Sequence, residues 1–168
     1  MGYTTDFTGA FSVTPPLKPE HIAYINLFSE TRRMKRRAKL AEALPDPVRV
    51  AAGLPIGSEG GYFTGGTGDF GQGQDASIVE YNRSSDEQPG LWCQWVASDD
   101  GTTVHWNGGE KFYNYEEWIR YLLHHFFVPW GYVLNGEIVW QGEEDCDKGK
   151  LIITDNVVTT KSGHVVYT

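Results

Sequence analysis

Apolar residues in the segment 115–126 recur with the spacing of one buried helix face. These apolar residues are Tyr115, Trp118, Ile119, Leu122, Leu123 and Phe126. Asn114 and Glu117 match an Asn-x-x-Glu variant of the capping box, which predicts that the helix begins at Tyr115. Pro129 cannot continue a helix and Gly131 permits a left-handed turn, so we expect the helix to end near Phe127 or Val128.

Two dipeptides in the last third of the chain have the composition of tight turns. Asn135-Gly136 lies between two apolar runs and predicts a hairpin in which Val133 pairs with Ile138. In that register Val133, Ile138 and Trp140 share one face, which should pack on the helix. Asp155-Asn156 separates the β-branched runs 151–154 and 157–160 and predicts a second hairpin. The C-terminal third is therefore expected to be an antiparallel meander.

The earlier part of the chain adds further elements of both types. Alternating apolar residues predict a strand over 6–13, and Pro19 opens a helix that either runs on to Leu44 or breaks near Met34. A short strand is expected at 78–81, and a hairpin from 91–97 and 102–106 around Asp99-Asp100-Gly101. We therefore expect one α+β domain over 1–168, with an antiparallel sheet of about six strands and two helices on one face.

Residues 57–73 contain eight glycines in seventeen positions, which predicts a flexible Gly-rich loop. The string Gly66-Thr67-Gly68-Asp69-Phe70-Gly71 matches G-x-G-x-x-G. A dinucleotide site needs that motif between a parallel strand and a helix, and neither pattern flanks it here. A connector is the better interpretation.

The formal net charge is −8, and six of the fourteen basic residues fall within positions 32–39. The acidic balance argues against broad nucleic-acid binding, whereas the basic run is either an interface or a solvated helix end. The residues of this possible basic interface are Arg32, Arg33, Lys35, Arg36 and Arg37. Cys93 and Cys146 are far apart and form no CxxC, which favours a reduced, cytoplasmic protein. No apolar run is long enough to cross a membrane.

Aromatic and charged residues near the central hairpin form a candidate surface for an anionic ligand or a protein partner. Gly108-Gly109-Glu110-Lys111 precedes the helix at 115, where the helix N-terminus favours an anion. Indole rings on the neighbouring strands offer flat apolar faces, and Arg83 offers a fork of donors. The candidate residues are Arg83, Trp92, Trp95, Trp106, Glu110, Lys111 and Tyr113. Core packing of the tryptophans is the alternative interpretation.

Catalytic and metal-binding patterns are absent from the sequence. No serine lies in a Gly-x-Ser-x-Gly elbow, and His124 and His125 are adjacent on a helix, so they cannot jointly bind one metal ion. The acidic residues from Glu143 to Asp147 lack EF-hand spacing, which favours a solvated turn. We expect no cofactor and no metal.

Five strings of the chain are distinctive in combination; they lie at 28–34, 81–83, 90–95, 108–113 and 131–142. Together they resemble a family of small uncharacterised proteins encoded by tailed bacteriophages and some bacteria. The segment 38–53 resembles an insertion relative to that family. The resemblance implies a phage-type accessory protein in the cytoplasm of a bacterial host cell, and carries no activity, cofactor or catalytic residue with it.

These observations favour a non-catalytic binding protein that engages a host protein or sequesters a small anionic, nucleotide-like ligand. An alternative is a nucleotide- or glycan-acting hydrolase, with Glu110 and either Glu137 or Asp99 as paired carboxylates. A third is a virion or assembly component that self-associates through an exposed sheet edge. A homodimer is compatible with each of these.

Overall fold

The computed structural model describes residues 2–66 and 71–168. In this part of the chain the helices are α1 (Pro19–Glu30), α2 (Ala38–Glu42), α3 (Pro47–Ala51) and α4 (Tyr115–Leu122), and a π-helical turn over Leu123–Phe127 follows α4. The strands are β1 (Asp6–Thr14), β2 (Met34–Arg36), β3 (Ile78–Ser84), β4 (Trp95–Ala97), β5 (Thr103–Trp106), β6 (Val133–Gln141), β7 (Lys148–Thr154) and β8 (Val157–Ser162). The predicted α+β class is confirmed. None of the helices in the described ranges is long and apolar enough to span a membrane.

The chain divides into two compact units. The first, which we call the sheet unit, comprises Met1–Leu17 and Gln94–Thr168, and the second, the α1 unit, comprises Lys18–Cys93. The expectation of a single domain stays a prediction.

The sheet unit is built on one antiparallel sheet with strand order β4-β5-β1-β6-β7-β8. β1 runs through its centre and pairs with β6 over nine residues, from Asp6 opposite Gln141 to Thr14 opposite Val133. Strands β6, β7 and β8 form the predicted C-terminal meander. The second predicted turn is present, since Asp155 and Asn156 both have positive φ and Thr154 pairs with Val157.

The predicted hairpin at Asn135-Gly136 is wrong, because β6 continues straight through that dipeptide. Gly136 lies opposite Phe11 of β1 on one side and Ile153 of β7 on the other. The continuous strand changes which residues share a face, so Leu134 joins Ile138 and Trp140 in the core, whereas Val133 is exposed. The pairing of Val133 with Ile138 does not occur.

A glycine is needed at position 136 because the neighbouring strand comes very close. Gly136 has φ 135°, and a Cβ atom there would lie 2.9 Å from the Ala10 carbonyl oxygen and 3.3 Å from the Phe11 Cα. Gly9, diagonally across, has φ 109° and the same kind of contact, with the Glu137 oxygen 2.7 Å from its hypothetical Cβ. The two glycines therefore allow β1 and β6 to approach closely.

α4 begins at Tyr115, as predicted, and the helical segment ends at Phe127. The predicted capping box is not formed, because Asn114 adopts left-handed φ 57° and ψ 38° and makes no side-chain capping hydrogen bond within the described structure. An N-cap side chain reaches the first helical N–H groups only from extended backbone. Instead, the Asn114 carbonyl accepts a 2.9 Å hydrogen bond from Trp118 N–H.

The inner face of the sheet and α4 enclose an aromatic core. The predicted apolar positions of the helical segment are buried except Tyr115, which is half-buried. Tyr115 fixes α4 to the sheet, since its carbonyl accepts a 2.9 Å hydrogen bond from Trp95 Nε1 and its ring lies 4.9 Å from that of Phe7. Burial raises the pKa of Tyr115 to about 12.

The α1 unit contains the short helices and the two-stranded sheet β2-β3. α1 begins at Pro19, as predicted, but ends at Glu30, because Thr31 turns into extended backbone and leads to β2. Part of the Gly-rich loop is packed against the unit: Ser58–Gly60 forms a 3-10 turn, and Phe63 and Thr64 are buried. Residues 67–70, on which most of the G-x-G-x-x-G motif falls, lie outside the described residues.

Candidate functional site

The residues of the predicted ligand surface are divided between the two units. Arg83 and Trp92 belong to the α1 unit, and the others, Trp95, Trp106, Glu110, Lys111 and Tyr113, belong to the sheet unit.

Trp95 is a core residue. Its side chain is 0% exposed, and its ring packs edge-on against Phe7 and Phe112 at centroid separations of 5.4 Å and 5.1 Å. Because Trp95 pairs directly with Trp106 in the β4-β5 hairpin, both indoles project from the same, inner face of the sheet. No face of the Trp95 ring is therefore available to a ligand, which corrects its assignment to the binding surface.

Gln94 connects Trp106 to the loop that precedes α4. Its Oε1 accepts a 3.0 Å hydrogen bond from Trp106 Nε1, and its Nε2 donates a 2.8 Å hydrogen bond to the Glu110 carbonyl. Lys111 follows in a left-handed conformation and is exposed. Tyr113 is 51% exposed, and its hydroxyl accepts a hydrogen bond from Tyr3 N–H. The hydrogen bonds of Gln94 and Tyr3 therefore stabilise the loop that precedes α4. Ligand binding by Trp106, Glu110, Lys111 and Tyr113 stays a prediction.

The acidic segment 143–147 is held by specific contacts rather than being a solvated turn throughout. Asp147 accepts a 2.7 Å hydrogen bond from the Tyr3 hydroxyl and a 3.1 Å hydrogen bond from Trp140 Nε1. Glu143 accepts a 2.7 Å hydrogen bond from Thr4 N–H. Within 2–66 and 71–168, no group of three or more His, Cys, Asp or Glu side chains is arranged to hold a metal ion.

Replacing Asp147 with alanine should therefore lower the free energy of unfolding by about 2 kcal/mol, because two donors lose a charged acceptor. Urea denaturation measures this change. Asp145→Ala is the matched control, since Asp145 is an exposed acid of the same loop and its removal should change stability by less than about 0.5 kcal/mol. Equal losses in the two variants would contradict the anchoring role of Asp147.

The basic run 32–37 does not form a continuous exposed patch. Arg33 and Arg36 are both 3% exposed, and both side chains form hydrogen bonds to residues of the α1 unit. Arg36 Nη1 lies 2.9 Å from Asp75 Oδ2, while Arg33 donates to backbone carbonyls. Both residues are therefore structural, which corrects their inclusion in a basic interface.

Two other members of the run also have internal partners. Lys35 Nζ lies 2.8 Å from Glu59 Oε2, and this hydrogen bond raises the pKa of Lys35 and lowers that of Glu59. Arg37 is exposed, and its Nη1 donates at 3.2 Å to the carbonyls of Ala76 and Ile78. Most basic side chains of the segment therefore attach β2 to neighbouring segments of the α1 unit.

Arg32 differs from the rest of the run because it lies at the surface on aromatic rings. Its guanidinium carbon is 4.4 Å from the centroid of the Tyr81 ring and 5.9 Å from that of Trp92. Its Nε donates to the Tyr81 carbonyl and its Nη2 to Asn82 Oδ1, each at 3.1 Å. These contacts fix the plane of the guanidinium, while Nη1 makes no hydrogen bond with any residue that the structure describes.

We call Arg32, Tyr81 and Trp92 the arginine–aromatic surface; all three side chains are half-buried. Arg83 lies next to it in sequence, is 62% exposed, and forms a 3.0 Å ion pair with Asp86. The sequence predicted Trp92, Arg83 and Arg32 as binding residues but not Tyr81 as the ring that positions Arg32. Tyr81 lies on β3, whose pairing with β2 shifts register twice, and no local sequence pattern predicts such shifts.

The carboxylates of the hydrolase alternative are all at the surface. Asp99, Glu110 and Glu137 are exposed, and Glu137 Oε2 forms a 3.3 Å ion pair with Lys150 Nζ. None of these three carboxylates is therefore shielded from water.

Comparison of the chain with protein-family models, curated proteins and solved structures gives no match. The resemblance to phage-encoded proteins stays a prediction.

Proposed function

We propose that this chain is a non-catalytic binding protein of phage type that engages a host protein through the arginine–aromatic surface. The observation that carries the proposal is the fixed guanidinium of Arg32, which lies on two half-exposed rings and keeps Nη1 unused by the described residues.

A protein partner fits this surface better than a stacked small molecule. The Tyr81 ring already has Arg32 over it at 4.4 Å, so the surface presents a positioned cation rather than an empty aromatic slot. Trp, Tyr and Arg are also the residue types that dominate binding energy at protein interfaces. Their rigid arrangement lowers the entropy lost on association.

Nη1 of Arg32, which has no hydrogen bond to a described residue, indicates what the partner contributes. An arginine held in one plane pairs best with a carboxylate, which can accept two parallel hydrogen bonds. We therefore infer that an Asp or Glu of the host protein contacts Arg32. The phage-type context is supported by the resemblance of the sequence strings alone.

The test is affinity capture from bacterial lysate followed by measurement of the dissociation constant for the recovered protein. Arg32→Ala should weaken binding at least about 30-fold, because a central interface arginine contributes about 2 kcal/mol or more. Trp92→Ala should also weaken it. Arg32→Lys should restore little, since an ammonium group cannot form the bidentate contact.

Arg37→Ala is the matched control, because Arg37 is an exposed arginine of the same basic run whose guanidinium donates to backbone carbonyls. It should leave the dissociation constant unchanged. Wild-type affinity in Arg32→Ala, or an equal loss in Arg37→Ala, would overturn the assignment of the surface.

A further inference from the structure

A second feature lies in the sheet unit, on strands β6, β7 and β8, and does not depend on the arginine–aromatic surface. These strands border an open cleft of about 360 Å³, which we call the lysine cleft. Its charged walls are Lys148, Lys150 and Lys161, and Val139 forms an apolar wall. Three of the seven lysines of the chain therefore border one cavity.

The strand register brings these side chains to one face of the sheet. Lys150 pairs directly with Val139 of β6 and with Lys161 of β8, and Lys148 pairs with Gln141. Directly paired residues of antiparallel strands project from the same face, and so do residues two apart on one strand. All three ammonium groups therefore project from the face opposite the aromatic core.

The charges of the cleft are poorly compensated by the protein itself. Lys150 lies directly opposite Lys161, and like charges in this position destabilise a sheet. Lys150 has an ion pair with Glu137 at 3.3 Å, whereas Lys148 and Lys161 have none among the described residues. In a chain with 22 acidic and 14 basic residues, a single ion pair for three neighbouring lysines within the described structure leaves the cleft with a net positive charge.

We propose that the lysine cleft binds a small organic phosphate. A phosphate group accepts several charge-assisted hydrogen bonds at once and relieves the repulsion between Lys150 and Lys161.

The shape of the cleft favours a ligand with an organic body over a bare anion. A cavity of about 360 Å³ is at the small end of the range for ligand sites in proteins. Val139, 43% exposed, offers an apolar contact next to the lysines. A charged group at one end and an apolar or planar body at the other would satisfy both parts of the wall.

The test uses adenosine monophosphate as the probe, with adenosine and inorganic phosphate for comparison, measured by calorimetry on the full chain. Adenosine monophosphate should bind more tightly than inorganic phosphate, and adenosine should not bind measurably. Lys150→Gln combined with Lys161→Gln should weaken binding by about tenfold or more. Binding should also weaken as ionic strength rises.

Two variants that each remove one acidic side chain distinguish binding at a specific site from an effect of the overall charge. Glu137→Gln frees Lys150 from its ion pair and should tighten binding severalfold. Glu117→Gln removes one exposed acid from α4, changes the net charge equally, and should have little effect.

The proposal would be overturned by absence of adenosine monophosphate binding, by unchanged affinity in the double lysine variant, or by equal effects of Glu137→Gln and Glu117→Gln. Much tighter binding of a single-stranded oligonucleotide than of the mononucleotide would also overturn it, in favour of a nucleic-acid surface. Loss of this binding leaves the arginine–aromatic surface untouched, since Arg32→Ala tests that surface in the other unit.

Discussion

Gly136→Ala should lower the free energy of unfolding by about 4 kcal/mol, although it adds a single methyl group. Roughly 1–3 kcal/mol comes from placing a non-glycine residue at φ 135°. A further contribution of roughly 1–3 kcal/mol comes from overpacking, because the new Cβ would lie 2.9 Å from the Ala10 carbonyl oxygen. Chemical denaturation followed by circular dichroism measures the change.

Gly131→Ala separates the two contributions. Gly131 also has a positive φ, 89°, but a Cβ there would have no atom within 4 Å. We expect a loss of about 1 kcal/mol, which is the conformational cost alone. If the two variants lose equal stability, the close contact between β1 and β6 contributes nothing and this account of Gly136 is wrong.

The contrast between Asn135-Gly136 and Asp155-Asn156 shows what a local pattern can and cannot determine. Both dipeptides have turn composition, and only the second forms a turn. Asn135-Gly136 is instead crossed by the nine-residue pairing of β6 with β1, whose residues are more than 100 positions away in sequence. Long-range pairing overrides local turn preference, and one sequence does not reveal it.

Burial of periodic segments was predictable because it depends on a local pattern rather than on long-range pairing. The apolar face of α4 and the alternation in β1 depend only on neighbours within the element, so both were predicted with nearly the observed bounds. The capping box at Asn114 failed because it depends on the φ of a single residue, which the preceding loop sets. Propensity fixes element type more reliably than terminal geometry.

The candidate sites divide along the same line. The sequence predicts Arg33 and Arg36 as exposed basic residues, because the residues that supply their acceptors, such as Gly61 and Asp75, are distant in sequence. One feature of the lysine cleft, the pairing of Lys150 with Lys161, is in contrast predictable from the sequence. Once the turn at 155–156 is placed, the register brings Lys150 opposite Lys161.

Arg33→Met should also lower the free energy of unfolding by about 4 kcal/mol. Arg33 is 3% exposed and donates hydrogen bonds to the carbonyls of Thr31, Gly61 and Phe63. Methionine fills much of the same volume but has no donor. The Thr31 and Phe63 carbonyls would lose their arginine donor, at a cost of about 1–3 kcal/mol each. The Gly61 carbonyl loses less, because it also accepts a 2.7 Å hydrogen bond from Gln88 Nε2. Part of the loss is offset because a charge is no longer buried.

Arg37→Met is the matched control, because Arg37 donates to two carbonyls from an exposed position where water can replace it. It should cost less than about 1 kcal/mol. Arg33→Lys should recover less than half of the loss, since one ammonium group cannot span carbonyls on both sides of a planar guanidinium. Equal denaturation midpoints for Arg33→Met and Arg37→Met would mean that the buried guanidinium does not hold the segments containing Gly61 and Phe63. Strong destabilisation of Arg33→Met would instead show that this buried arginine stabilises the fold. The basic run 32–37 then has a structural part, Arg33 and Arg36, and a surface part in which Arg32 is available to a partner.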